Sequence, residues 1–337
     1  MIRQPGVDRR DLRREDGIGG SGFHHELLLY SGEEGFLAGT LPFIDEALSR
    51  GEPVLVAVGN ARIELLKGVL AQGGEGVEFA DMHVLGSNPA RIIPAWRRLF
   101  DERAPDGRPV RAIGEPIWHG RSPAELSECE RHESLLSVAF DDHPCSVLCP
   151  YDLDALEESV IQAARESHPI IAQEGGCRTS EDFIATRHPP DPFAGALPAP
   201  ASQPEEMAFA RGQLGAVRGF ASRIASEALE GARVQDLVLA LNELATNSIR
   251  HAGGRGTLRI WREGATLLCE VGDEGRISEP LVGRTQPAAR QRTGRGLWLV
   301  HHLCDLVQIR SSSSGSVVRV HMHGASSEPG RTLRSPS

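Results

Sequence analysis

Six prolines crowd residues 188–204, at Pro189, Pro190, Pro192, Pro198, Pro200 and Pro204. Proline fixes φ and carries no backbone N–H, so neither a helix nor a central strand runs through such a stretch. The 337-residue chain is thereby cut into two lengths, each of which must bury a core of its own. The stretch itself reads as a semi-rigid spacer. Two domains also suit the chain length, at ~100–200 residues per domain. Apolar residues make up 40% of the sequence but aromatics only 5%, so the cores must be built from Leu, Val, Ala and Ile.

The net charge is −10. An acidic chain repels phosphate backbones, which argues against direct nucleic-acid binding. No apolar run is long enough to span a membrane, and residues 1–22 are charged and Gly-rich, without the apolar centre of a signal peptide. A cytoplasmic protein is expected, with a disordered leader over 1–22 and a disordered Ser/Pro/Arg-rich tail over 324–337. Cys129, Cys145, Cys149, Cys177, Cys269 and Cys304 show no C-x-x-C spacing and read as free thiols.

Residues 23–187 alternate between apolar runs, at 26–30, 53–58, 82–85, 110–113 and 145–149, and helical stretches, at 34–50, 61–72, 89–103, 122–140 and 154–166. Strand and helix in regular turn predict an α/β domain with a parallel sheet covered on both faces. If 145–151 is a strand, Cys145 and Cys149 stand ~13 Å apart, beyond the ~7 Å limit for a disulfide. Histidines are plentiful (His24, His25, His83, His119, His132, His143, His168), yet no H-x-H or H-E-x-x-H spacing points to a metal site.

The second length, 205–323, predicts an α/β sandwich. Helices are expected over 206–229, 232–251 and 295–306, and strands over 257–262, 266–273, 307–311 and 316–323. Residues 237–251 read LVLALNELATNSIRH. Glu243, Asn247 and His251 follow at four-residue steps, about 6 Å apart along one helix face. Asn offers a carbonyl oxygen to a hard cation such as Mg²⁺, and Glu offers a base for a hydroxyl; read alone, the strip is equally a solvated helix face. Residues 268–275 read LCEVGDEG, with Asp273 as a fixed acceptor at a strand end and Gly275 permitting a tight turn. Residues 294–300 read GRGLWLV. There Gly294 and Gly296 free backbone N–H groups toward an anion, Arg295 adds positive charge, and Leu297 opens an apolar helix. The polar loop 274–293 lies where a mobile lid would close, and it carries Arg276, Arg284, Arg290 and Arg292.

The order of these three signals resembles the GHKL superfamily, whose ATP-binding domain has the Bergerat fold. The resemblance implies that Asn247 holds Mg²⁺, that Asp273 holds adenine, that the glycines Gly275, Gly294 and Gly296 contact phosphate, and that Arg295 and Leu297 belong to the same cofactor-binding site. Ile277 stands where a second glycine of the first Gly box would be. No His occurs in 206–229, where a histidine kinase would carry its phosphorylated residue. The single leading helix, LALNELATNSIRHA, the LWLVHHLCDLV segment and the PLVGR segment at 280–284 are similar to anti-sigma-factor serine/threonine kinases. That likeness implies Glu243 as catalytic base, ATP and Mg²⁺ as cofactors, and a sigma factor and an anti-anti-sigma (STAS-type) protein as partners. Members of that family are often dimers, but no dimer seam is legible here. A catalytically silent GHKL binding module and an orphan histidine-kinase-like ATPase remain the alternatives.

In the front domain, HHELLLYSGEEGF, GEP at 114–116 and CPYD at 149–152 resemble the MEDS sensory domain, which implies a RecA-like module without a working phosphate loop and a small-molecule signal. YSGEEGFLAGT sits in the P-loop position but lacks Lys, and Glu33 and Glu34 would repel phosphate. ATP binding in this half is not expected.

Overall fold

The computed structural model describes residues 22–70, 74–173, 176–184, 191–287 and 294–324. Apart from Gly22 and Gly324, the expected leader and tail lie outside the described residues, as do residues 188–190 of the spacer. The chain divides into two units between Pro192 and Phe193. Among the described residues no helix is long and apolar enough to cross a membrane.

In the first unit, β1 (His24–Tyr30), β2 (Val54–Val58), β3 (Val77–Asp81), β4 (Val110–Gly114), β5 (Cys145–Asp152), β6 (Ile170–Gln173) and β7 (Gly176–Thr179) form one sheet in the order β3-β2-β4-β5-β1-β6-β7. Strands β1 to β6 are parallel. Between them run α1 (Gly32–Ser49), α2 (Asn60–Leu70), α3 (Met82–Leu85), α4 (Ile92–Arg103), α5 (Pro123–Ala139) and α6 (Glu158–Ser167). Every residue of β2 and β4 is buried, as strands covered on both faces require. The start of α5 is written locally: Ser122 and Glu125 cap each other's backbone N–H groups, with Pro123 at the first turn.

Three features differ from the sequence expectation, the first being β6, a parallel strand absent from the expected runs. The sheet is mixed, because β7 returns antiparallel to β6; the four residues of β7, GCRT, bury only Cys177 and give no alternation to read. The strand expected over 82–85 is instead the short helix α3, whose cap Asp81 accepts the His83 N–H at 2.9 Å. The preceding VEFAD, half-buried at the sheet edge, is the strand. Cys145 and Cys149 both lie in β5, and all six cysteines are buried.

At the C-terminal ends of β1, β4 and β5, the Tyr30 hydroxyl donates to Glu115 at 2.9 Å, and Arg62 donates to Glu115 at 3.0 Å and to Asp152 at 2.7 Å. Arg62 also lies over the Tyr30 ring, 5.1 Å from its centroid. In open α/β sheets this end of the strands is where ligands bind. Burial pushes the Glu115 carboxyl up to about 7, against the opposing pull of Arg62.

The second unit is a sheet in the order β11-β12-β10-β9-β8, with every neighbouring pair antiparallel. Its strands are β8 (Glu205–Ala210), β9 (Arg255–Glu263), β10 (Thr266–Asp273), β11 (Leu306–Ser312) and β12 (Gly315–His323), and its helices α7 (Leu214–Ala225), α8 (Ala232–His251) and α9 (Arg295–Leu303). Leu267, Cys269 and Val271, at alternate positions of β10, meet Leu237, Leu241 and Leu244 of α8 and Val300 of α9 in one core. The helix expected over 206–229 is a strand followed by a shorter helix. Gly212 adopts φ +84°, a left-handed turn that ends β8 before α7 begins. Residues 193–204 form no helix or strand. They are nonetheless fastened to this unit: Phe193 is buried in its core, its carbonyl accepts the Ser311 N–H at 3.1 Å, and Arg319 donates to the Pro198 carbonyl at 2.6 Å.

The Glu115 carboxyl generates a pH prediction for the first unit. Its folded value, about 7, lies above its ordinary value of 4.5. Between those values the folded unit holds a proton that the unfolded chain has shed, so stability falls as pH rises through this window. The effect is at most roughly 3 kcal/mol at ~1.36 kcal/mol per pKa unit. Urea unfolding of the full chain across the window should show this loss for the first unit and its disappearance in Glu115→Gln. Equal slopes in both proteins would count against it.

Candidate functional site

α8 has two faces because its sequence has two periodicities. Leu237, Leu241, Leu244 and Ala245 point into the core, while Glu243, Asn247 and His251 occupy the adjoining polar strip. Asn247 and His251 line a cleft of about 390 Å³, within the size range of small-molecule sites. Its walls are apolar, from Leu244, Val271, Ile277, Val282, Leu297 and Val318. Asp273 and Gly275 at the end of β10, and Gly294 and Gly296 at the start of α9, complete it.

The structure therefore brings together residues that are far apart in sequence. Gly296 sits against the polar strip. A Cβ there would lie 3.1 Å from Glu243 Oε2 and 3.3 Å from Asn247 Nδ2, tighter than side chains ordinarily pack. Glycine at this position lets the first turn of α9 reach the carboxylate and the carboxamide of α8. Gly294 caps that turn in the left-handed region at φ 83°, which leaves the first N–H groups of α9 at the cleft. Arg295 is exposed on this turn, and Leu297 is buried as part of the cleft wall.

Asp273 is held from two sides. Its Oδ2 accepts the Ser248 hydroxyl at 2.6 Å and its Oδ1 accepts the Gly275 N–H at 2.9 Å. Both bonds fix the direction in which its remaining lone pairs face the cleft. A Cβ on Gly275 would lie 2.6 Å from Ala252 Cβ, so the β10 end can meet α8 only through glycine. Gly315, in the β11–β12 turn, is equally constrained: at φ +135° its missing Cβ would lie 2.3 Å from the Asp273 carbonyl oxygen.

Sequence reasoning missed three serines. Ser248 is one step beyond Asn247, and its hydroxyl reads in sequence as a buried helix position. Ser316 donates to the Gly275 carbonyl at 2.8 Å, Ser311 accepts the Ile277 N–H at 2.9 Å, and the two hydroxyls meet at 2.8 Å. They fasten the root of the loop 274–293. Ile277, which replaces a glycine of the expected motif, adds an apolar wall there and packs against the core. The expectation of one mobile, arginine-rich lid is narrowed accordingly. Arg276 is exposed at the cleft, but Arg284 is buried, at 6% exposure, and does not present its guanidinium to solvent. Arg290 and Arg292 lie outside the described residues.

An apolar slot with a fixed carboxylate acceptor at one end, and a glycine-opened helix N-terminus beside a carboxamide at the other, suits a flat heteroaromatic base joined to an anionic tail. The family matches agree with this division of the chain. Residues 207–322 match the family model described as histidine kinase-like ATPase domain, and residues 24–169 match MEDS, the MEthanogen/methylotroph, DcmR Sensory domain. Among curated proteins none matches the chain. Among solved structures, the RsbU and RsbW domains of a Mycobacterium tuberculosis protein share 15% identity at a TM-score of 0.29, covering 64% of this chain and 52% of that one. The chain thus spans about half the length of that structure. The Acinetobacter baumannii histidine kinase AdeS shares 17% identity at a TM-score of 0.24, covering 36% of this chain and 68% of that one.

Ser248 is the residue whose removal tests how Asp273 is aimed. Ser248→Ala keeps the helix and the carboxylate but deletes one of its two donors. We expect Mg-ATP affinity to fall about tenfold, corresponding to the ~1.5 kcal/mol that a hydrogen bond to a charged group contributes. Titration calorimetry measures it, and an affinity equal to wild type would remove Ser248 from the site.

Proposed function

Starting from a chain that carries a MEDS domain over 24–169 and a histidine kinase-like ATPase domain over 207–322, we propose that it is a cytoplasmic, ATP-dependent protein serine/threonine kinase of the anti-sigma type. In this reading it phosphorylates an anti-anti-sigma (STAS-type) partner, sequesters a sigma factor, or does both, under control of a small-molecule signal at the front domain. The observation that carries the reading is the meeting of Glu243 and Asn247 with Gly296 across a cleft closed at its far end by Asp273.

The residues present fit a Mg-nucleotide. The space that a Cβ of Gly296 would fill is the space beside the Asn247 carboxamide and the N–H groups of α9. Asn247 Oδ1 would hold Mg²⁺, which supplies charge neutralisation at the phosphate oxygens. Asp273, fixed by Ser248 and Gly275, accepts a hydrogen bond from the amino group of the base. Leu244, Ile277, Val282 and Leu297 exclude water from its faces. Gly294 and Gly296 present N–H groups, and Arg295 a guanidinium, to the phosphates. Glu243, one helical turn before Asn247, lies outside the residues lining the cleft but has its Oε2 against Gly296, which in this reading is the phosphate side. There it can take the proton of an incoming serine or threonine hydroxyl.

Two alternatives belong to other classes. A histidine kinase needs a phosphorylated His before this domain; α7 and β8 contain none. A silent binding module needs no base, and the retention of Glu243 beside Asn247 favours the kinase.

Radiolabelled ATP incubated with the full chain and candidate anti-anti-sigma proteins should yield phosphoserine or phosphothreonine on the partner. Glu243→Ala is expected to keep Mg-ATP binding and to slow transfer ~10²–10⁴-fold, the usual contribution of a general base. Asn247→Ala is expected to lose the Mg²⁺ dependence of binding. Transfer at the wild-type rate by the Glu243 variant would make that residue structural and return the silent module to first place.

A further inference from the structure

Inside the first unit, four side chains with metal-binding atoms converge where the sequence showed no motif. They are His25 on β1, Glu133 on α5, Cys149 on β5 and His168, which follows α6 and precedes β6. One ligand atom from each lies within 4.8 Å of all the others, and all four residues are buried. His25 Nε2 is 3.0 Å from Glu133 Oε2 and 3.2 Å from Cys149 Sγ. Glu133 Oε2 is 3.5 Å from Cys149 Sγ and 3.6 Å from His168 Nε2. Four tetrahedral bonds of ~2.0–2.3 Å to one ion place their ligand atoms ~3.3–3.8 Å apart. The four separations just given fall within a few tenths of an ångström of that range, and the two remaining pairs, both involving His168, lie within 4.8 Å, so His168 would draw in by up to about an ångström to complete the tetrahedron.

We propose that these four residues form a closed, four-coordinate site for a divalent cation of the zinc class, resident in the front domain and separate from the nucleotide cleft. Three further observations support it. The first is tautomer control: His168 Nδ1 is 2.8 Å from the Ala164 carbonyl, so it carries the proton, and Nε2 turns its lone pair to the cluster. This outer hydrogen bond is the usual companion of a metal-bound imidazole. The second is charge. A Glu carboxylate and a Cys thiolate contribute −2 and two neutral imidazoles contribute nothing, so a divalent ion leaves the buried site neutral, as burial demands. On binding, Cys149 releases its thiol proton to solvent and the other three donate lone pairs. The third is an unanswered acceptor: Glu133 Oε1 is buried with no hydrogen-bond partner among the described residues. Phe23 and Tyr151 pack their rings near His25 and His168, which closes the site to water. Nitrogen and sulfur donors with one carboxylate select zinc-class ions over Mg²⁺ or Ca²⁺.

The full chain, stripped with a chelator and kept free of nucleotide, is titrated with Co²⁺ as the spectroscopic probe. The expected result is uptake of one equivalent with the intense visible bands of tetrahedral Co²⁺ and a near-ultraviolet thiolate charge-transfer band, both abolished when Zn²⁺ displaces it. Cys149→Ala should lose the charge-transfer band. His25→Ala and His168→Ala should weaken binding by at least the ~10–100-fold that even outer-shell changes cost. The wild-type titration decides the matter even if a variant misfolds: no uptake, or a weak six-coordinate spectrum without a thiolate band, overturns the proposal. So does a charge-transfer band that survives in a folded Cys149→Ala protein.

Discussion

The second domain rests on one helix serving two masters. α8 must drive Leu237, Leu241 and Leu244 into the core while turning Asn247 and His251 to the cleft, with Glu243 one turn earlier against Gly296. Burial of three leucines is worth roughly 1.5–3 kcal/mol each, and that is what fixes the rotation of the helix about its axis. Once the rotation is fixed, the polar strip has one place to be. The approach of α9 then depends on Gly296, since any side chain there would meet the strip. The cleft is thus a by-product of core packing, which makes its geometry as stiff as the core itself.

This explains what could be read without coordinates. A helix with period-3.6 leucines and four-residue polar steps is strongly written, and so is a strand ending in Asp273 and Gly275; both stand where the motifs placed them. Gly294 and Gly296 were legible because glycine signals close approach or a left-handed turn, and each position has one of these reasons. β8 was not legible: EEMAFA has only Met207 and Phe209 turned inward, and its short alternation merges with the helical pattern of α7. The loop root escaped for another reason. Ser311 and Ser316 act through hydroxyl contacts across three strands' worth of chain, and serine in a strand carries no signal of what it will touch.

The first domain shows the same limit more sharply. Of its six parallel strands, β1, β2, β4 and β5 were visible as apolar runs, whereas β3 and β6 were not, and a four-ligand cluster assembled from β1, α5, β5 and the turn before β6 has no spacing to recognise. A helix-borne motif repeats because the helix repeats; ligands delivered by the crossing of separate strands are set by topology alone. The β1–β5 pairing that aligns Leu27 with Cys149 brings His25 to the thiol, and nothing local in either strand announces it. The ionic group at the strand ends, built on Tyr30, Arg62, Glu115 and Asp152, is of the same kind.

The β11–β12 turn is far in sequence from every motif of the cleft, yet Gly315 stands where a single methyl group would collide with the carbonyl of Asp273. Positive φ alone would make a bulkier residue strained; the collision adds to it, because the atom met is backbone and not the end of a flexible side chain. Surface turns are ordinarily where lineages diverge and where tags and insertions are accommodated. Here that freedom is withdrawn at one residue, by the carbonyl oxygen of a strand end in another part of the chain.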